Sequence, residues 1–116
     1  MNALVKSFLC ALRGIGFTLR QERNFQIECA AGVVVFVLMF LFPLTVTERA
    51  LLLLTIGGVL TLELFNTAFE RVMDMLKPRI HPYVRVVKDV VAGAVLIGAI
   101  VALSIGVMIF LSYWLS

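Results

Sequence analysis

The sequence predicts an all-α integral membrane protein, with an amphipathic surface helix at the N-terminus followed by three transmembrane helices. Three observations carry this reading. Of the 116 residues, 62% are hydrophobic, and the mean hydropathy is +1.08. Charged residues make up 15% of the chain, where a soluble domain carries about 25%. Uncharged runs long enough to matter in a bilayer are separated by short polar stretches. The length fits one domain, 1–116. The N-terminus does not read as a signal peptide, because Lys6, Arg13 and Arg20 interrupt any apolar segment. Cys10 and Cys29 lack metal-ligand spacing and read as small reduced hydrophobes.

Residues 2–21 place Lys6, Arg13 and Arg20 seven apart on one helical face, while Leu4, Val5, Phe8, Leu9, Leu12, Ile15 and Leu19 fill most of the remainder. That pattern suits a helix lying in the membrane interface. Gly14 and Gly16 are positions where it can bend, and residues 20–24 read as a polar hinge. Residues 29–47 then form an uncharged run long enough to span as a helix. The first span is expected at about 27–46, ended by Pro43 and Thr45-Val46-Thr47, with Glu48-Arg49 as a minimal loop. The next apolar run, 50–62, makes only about 20 Å of helix, and a hydrocarbon core needs about 30 Å. The second span must therefore continue to about residue 74, which carries Glu63 and Asn66 below the membrane surface. Residues 75–88 read as a polar connection with Pro78, Pro82, Lys77, Arg79, Arg85 and Lys88, and the lone His81 reads as a loop residue. A third span is expected at about 90–115, closed by Tyr113-Trp114 at the interface. Within it Ala94, Gly98, Ala102 and Gly106 recur every four residues, a spacing that lets helices approach closely, in the chain or between subunits; because three helices alone cannot enclose a site, contact between subunits is the expected use.

Orientation follows from the lysines and arginines. Four precede the first span, one lies in the first loop, five lie around the second connection and none follows. The positive-inside rule puts the N-terminus and second connection in the cytoplasm and the C-terminus outside. The net charge of +3 is thus placed by topology and gives no sign of a nucleic-acid partner.

At 100° per residue, Glu63, Asn66, Glu70 and Asp74 fall at about 0°, 300°, 340° and 20°, a single narrow face. Carboxylates in or near hydrocarbon are costly and are functional suspects by default. The polar inventory near the inner boundary adds Glu22, Glu28, Lys88 and Asp89, which brings in six of the seven acids. Magnesium prefers oxygen ligands and usually takes one or two carboxylates together with phosphates. A lysine adds a point charge for phosphate. A carboxylate in apolar surroundings holds a proton well enough to act as general base on an alcohol. Together these are parts for phosphoryl transfer, where positioning and charge neutralisation dominate. Neither a Walker A motif nor the protein-kinase signatures occur.

The run Glu63-Leu64-Phe65-Asn66-Thr67-Ala68-Phe69-Glu70-Arg71-Val72-Met73-Asp74 resembles the signature of the small bacterial membrane diacylglycerol kinase and undecaprenol kinase family. Lys88-Asp89-Val90-Val91-Ala92-Gly93-Ala94-Val95-Leu96 and Arg20-Gln21-Glu22-Arg23-Asn24-Phe25 resemble it too, so the likeness covers nearly the whole chain. The resemblance implies one membrane-embedded lipid kinase domain. It implies a homotrimer with active sites shared between subunits, and ATP- and Mg²⁺-dependent phosphorylation of a lipid alcohol at the inner leaflet of the cytoplasmic membrane. It implies Glu63 as catalytic base, Glu22 and Glu70 as metal ligands, Asn66, Lys88 and Asp89 as nucleotide or phosphate contacts, and Asp74 in support. Phe69 departs from the aliphatic residue usual in the family. Glu22-Arg23-Asn24 and Asn66-Thr67-Ala68 look more like the undecaprenol kinases, with diacylglycerol the alternative substrate.

Other residues receive plainer readings. Glu28 is expected at the membrane boundary rather than in the site, and Arg23 and Asn24 fit nucleotide, headgroup or a neighbouring helix equally. Two rival classes stand beside the kinase. A small proton-coupled transporter would need polar residues through the full membrane depth, and the outer halves of the spans offer only hydroxyls such as Thr55, Ser104 and Ser112. A non-catalytic assembly subunit would not need the Glu63 stripe.

Overall fold

A computed structural model describes residues 2–76 and 81–116. They form four helices: α1 (Ala3–Gln21), α2 (Arg23–Leu41), α3 (Val46–Leu76) and α4 (His81–Leu115). Three are long and apolar enough to cross a membrane, over Arg23–Leu41, Val46–Leu76 and Pro82–Leu115. The chain is an all-α membrane protein.

Helix α1 starts where the Asn2 side chain accepts hydrogen bonds from the Leu4 and Val5 amides at 2.7 and 3.2 Å, satisfying donors a helix start leaves open. It runs unbroken through Gly14 and Gly16. Thr18 is its buried residue, donating its hydroxyl to the Gly14 carbonyl at 3.0 Å. The expected hinge is reduced to one residue: Glu22 adopts φ −113°, ψ 114°, and α2 begins at Arg23.

Helix α2 therefore starts earlier than the span expected at 27–46 and ends earlier too. The cause of its end is Pro43, whose ring disfavours helical geometry in the preceding residue. Phe42 is accordingly extended, at φ −103°, ψ 147°. The connection is 42–45, and Glu48-Arg49, expected to be the loop, lie in the first turn of α3. A capping box explains the shift. The Thr45 hydroxyl accepts from the Glu48 amide at 3.1 Å, and the Glu48 carboxylate accepts from the Thr45 amide at 2.9 Å. Arg49 donates to the Met39 carbonyl, one of the acceptors left open at the end of α2. Tyr113, near the end of α4, donates its hydroxyl to the same Glu48 carboxylate and ties the corner to that helix.

The expected connection at 75–88 is also mostly helix. Met75 and Leu76 close α3, while 81–88 form the first turns of α4, with His81 its first residue rather than part of a loop. Pro82 is tolerated there because an amide in the first turn has no intrahelical partner to lose. Lys77, Pro78 and Arg79 lie outside the described residues. Helix α3, at 31 residues, is about 46 Å long, well beyond a hydrocarbon core of about 30 Å.

Helix α3 packs chiefly on α4 and then on α2, with α1 laid against α2 and α3. Met39, Leu44, Leu52 and Ile109 form a buried cluster at the Thr45 corner, flanked by Phe42, Phe110 and Tyr113. Phe25 and Val84 are buried in the other half of the molecule. Packing between membrane helices depends on close approach rather than on a hydrophobic drive, and Gly98 shows how. A Cβ at that position would collide with the Leu62 side chain, so this member of the small-residue series serves contact within the chain. Gly32 plays the same part between α2 and α3, 3.1 Å from Ile56 at its missing Cβ.

Candidate active site

The site is built along the C-terminal half of α3. Glu63 lies seventeen residues beyond Val46, about 26 Å along the helix, and Asp74 about 42 Å. A span that starts at Val46 thus carries Glu63 just inside the far boundary and releases Asp74 beyond it. Glu63 is 3% exposed. One turn on, buried Thr67 donates its hydroxyl to the Glu63 carbonyl at 3.0 Å, so neither its hydroxyl nor that carbonyl is left unpaired. Asn66 points its amide at the Glu70 carboxylate, a long contact at 3.5 Å, and both side chains are half-buried. The expected stripe is therefore present as one graded face, from buried Glu63 to exposed Asp74.

Two other helices meet this face. Glu22, at the break between α1 and α2, pairs with Arg71 at 2.8 Å. It also lies within electrostatic reach of Glu63, as does Glu70. From α4, Lys88 pairs with Asp74 at 2.6 Å and feels the charge of Glu70. Glu22, Glu63, Asn66, Glu70, Asp74 and Lys88 are thus brought together within one chain. Asp89 is exposed on α4, and among the described residues no hydrogen bond or ion pair ties it to the others.

Glu28, expected at the membrane boundary rather than in the site, meets the site's buried carboxyl. It lies on α2 with its carboxyl facing that of Glu63, and its Oε2 is buried with no hydrogen-bond partner among the described residues. A buried polar atom without a partner calls for a physical reason. Glu28 also lines an apolar groove of about 460 Å³ between α2, α3 and α4, with Leu52, Ile56, Ala102 and Phe110 among its walls. Arg71 has no role in the sequence reading, and the structure pairs it with Glu22. Both act across helices, so their partners are not neighbours in the chain.

Among the described residues no three histidine, cysteine or acidic side chains converge as a ready-made metal cage. Magnesium does not require one, since it keeps water and phosphate oxygens and takes only one or two carboxylates. The hard oxygen donors of Glu22 and Glu70, both near Glu63, suit that mode.

Comparison with known proteins gives the family. The family model described as prokaryotic diacylglycerol kinase matches residues 9–110. An undecaprenol kinase of Bacillus subtilis is 43% identical over 111 residues, covering 96% of this chain and 90% of that protein. A diacylglycerol kinase of Synechocystis is 38% identical over 104 residues, covering 89% of this chain and 59% of that protein. The chain belongs to the prokaryotic diacylglycerol kinase family. It is a membrane-bound kinase, with a lipid acceptor and ATP as the donor that such kinases use.

Proposed function

We propose that the chain phosphorylates undecaprenol to undecaprenyl phosphate, with Mg·ATP as donor, at the cytoplasmic face of the bacterial inner membrane. The observation that carries the proposal is buried Glu63 facing Glu28 where the α3 stripe meets an apolar groove. The lipid tail lies in the groove, and its hydroxyl reaches both carboxyl groups. Glu63 accepts the hydroxyl proton as the oxygen attacks the γ-phosphorus. The new O–P bond forms as the bond to the β-phosphate oxygen breaks, and ADP leaves. Glu22 and Glu70 would hold Mg²⁺, which would neutralise phosphate charge there. Lys88, Asn66 and Asp89 contact nucleotide or phosphate, and Asp74 holds Lys88 in place.

The exposed apolar surfaces of α2 and α4, with Val33, Phe36, Phe40, Leu96, Ile97 and Leu103, suit lipid and neighbouring subunits alike. We assign a homotrimer with shared active sites, α1 resting on the membrane surface, the N-terminus in the cytoplasm and the C-terminus outside. The positive residues around α1 and the start of α4 support that orientation.

The choice of lipid rests on the 43% identity to the Bacillus undecaprenol kinase over nearly the full length of both chains. Diacylglycerol is the second reading, favoured by the Synechocystis relative. Competition between the two lipids in one mixed-micelle reaction, with labelled ATP and resolved products, measures relative kcat/KM, the quantity that defines discrimination. Undecaprenyl phosphate is the expected major product. A mixture dominated by phosphatidic acid overturns the lipid and leaves the base and the metal pair standing.

A further inference from the structure

Glu22 occupies a position whose ordinary duty it does not perform. As the residue preceding α2 it is placed to cap that helix, yet its side chain makes no capping hydrogen bond. Its carboxylate instead reaches Arg71, 49 positions away in sequence, at 2.8 Å. Glu22 sits in extended backbone between two helices, so neither helix fixes the direction of its side chain. Arg71 follows Glu70 on α3 and is itself held in place: its guanidinium lies 5.4 Å from the centre of the Phe17 ring on α1. Three elements therefore meet at one guanidinium, which lies over the Phe17 ring and pairs with Glu22. Arginine suits both roles at once, because its planar group stacks and its fork binds a carboxylate.

Stability alone does not account for this contact. The side chains are 48% and 26% exposed, and exposed ion pairs contribute little to stability. What the contact determines is where a carboxylate on an otherwise undirected residue points.

We infer that Arg71 is a positioning residue that turns Glu22 toward the stretch of α3 carrying Glu70, so that the two carboxylates can hold one divalent cation. The inference rests on the proposed metal role of Glu22 and Glu70. Groups that orient metal ligands typically change metal affinity by about 10–100-fold when removed.

The test uses full-length protein in detergent micelles, with Mn²⁺ binding followed by electron paramagnetic resonance beside a non-hydrolysable ATP analogue. Thermal unfolding of each variant is recorded in parallel. Arg71→Gln is expected to weaken Mn²⁺ binding by about tenfold, with an unfolding temperature near that of the parent and an unchanged KM for lipid. Arg71→Lys keeps the charge but loses the planar group, and is expected to recover only part of the affinity. Arg71→Gln added to Glu22→Gln is expected to cause little further loss, since both act through one carboxylate. Mn²⁺ affinity unchanged in Arg71→Gln while Glu22→Gln weakens it overturns the inference alone. Additive losses in the double variant overturn it too. Weakened nucleotide binding in the absence of any metal would mark Arg71 as a direct phosphate contact and overturn the positioning role. If Glu22→Gln itself leaves Mn²⁺ binding intact, the metal reading fails and the inference fails with it.

Discussion

At the scale of single residues, the site depends on carboxyl groups held at different depths along one helix. Glu63 is buried, Glu70 half-buried and Asp74 exposed, although all three lie on the same face of α3. That face was legible in the sequence because residues three, four and seven apart must share a side of any helix. Glu28 was not legible in the same way. Its contact with Glu63 depends on where α2 begins and how α2 rests on α3, and no periodicity along one helix encodes that. In the proposed mechanism the one proton of the lipid hydroxyl goes to Glu63, and the Glu28 carboxyl, whose Oε2 is buried, donates to that oxygen as it gains negative charge. A hydrogen bond to a charged acceptor is worth about 1.5–3 kcal/mol, or roughly 10–150-fold. Glu28→Leu, which removes the donor, is therefore expected to lower kcat/KM for the lipid by at least about tenfold while leaving KM for ATP unchanged. Steady-state kinetics with each substrate varied in turn check this. A loss that appears only in the ATP terms removes Glu28 from the acceptor site.

At the scale of elements, helix existence followed from hydrophobic runs, while helix boundaries followed from local chemistry. Charge served as the end-marker at Glu48-Arg49 and over 75–88, yet Glu48 and Arg49 lie within α3, and Arg85 and Lys88 within α4. The signal that would have corrected the first boundary is the spacing Thr45-x-x-Glu48, a capping box that starts a helix rather than a loop. The same Glu48 accepts from Tyr113, so this corner anchors α3 to the far end of α4. Removing an N-cap hydroxyl typically costs about 0.5–2 kcal/mol. Thr45→Ala should thus lower the unfolding temperature in detergent, and it should leave kcat and both KM values near those of the parent. The corner is separated from Glu63 by eighteen residues of α3, about 27 Å of helix. A change in catalysis as large as the change in stability would show that the two ends of α3 are coupled.

At the scale of the whole molecule, a 31-residue α3 reconciles a membrane span with a water-facing site. One end is fixed at the Thr45 corner, and the other projects Glu70 and Asp74 past the hydrocarbon toward Lys88. The proposed orientation makes that projecting end cytoplasmic, where ATP is available. Cysteines placed near Asp74 should react with a membrane-impermeant reagent only in inverted vesicles, and one at Ser116 only in intact cells. Labelling of the Asp74 region from outside would reverse the orientation and deny ATP access to the site.

The central claim is that this chain moves a phosphoryl group from ATP to a lipid hydroxyl with Glu63 as the base. Purified parent and Glu63→Gln proteins, given γ-labelled ATP and undecaprenol in micelles, test it most directly when nucleotide binding is measured on the same samples. The parent should transfer label to the lipid. The variant should bind Mg·ATP with unchanged affinity and lose about 10²–10⁴ in kcat, the size of a general-base contribution. Near-parental turnover by Glu63→Gln would contradict the account.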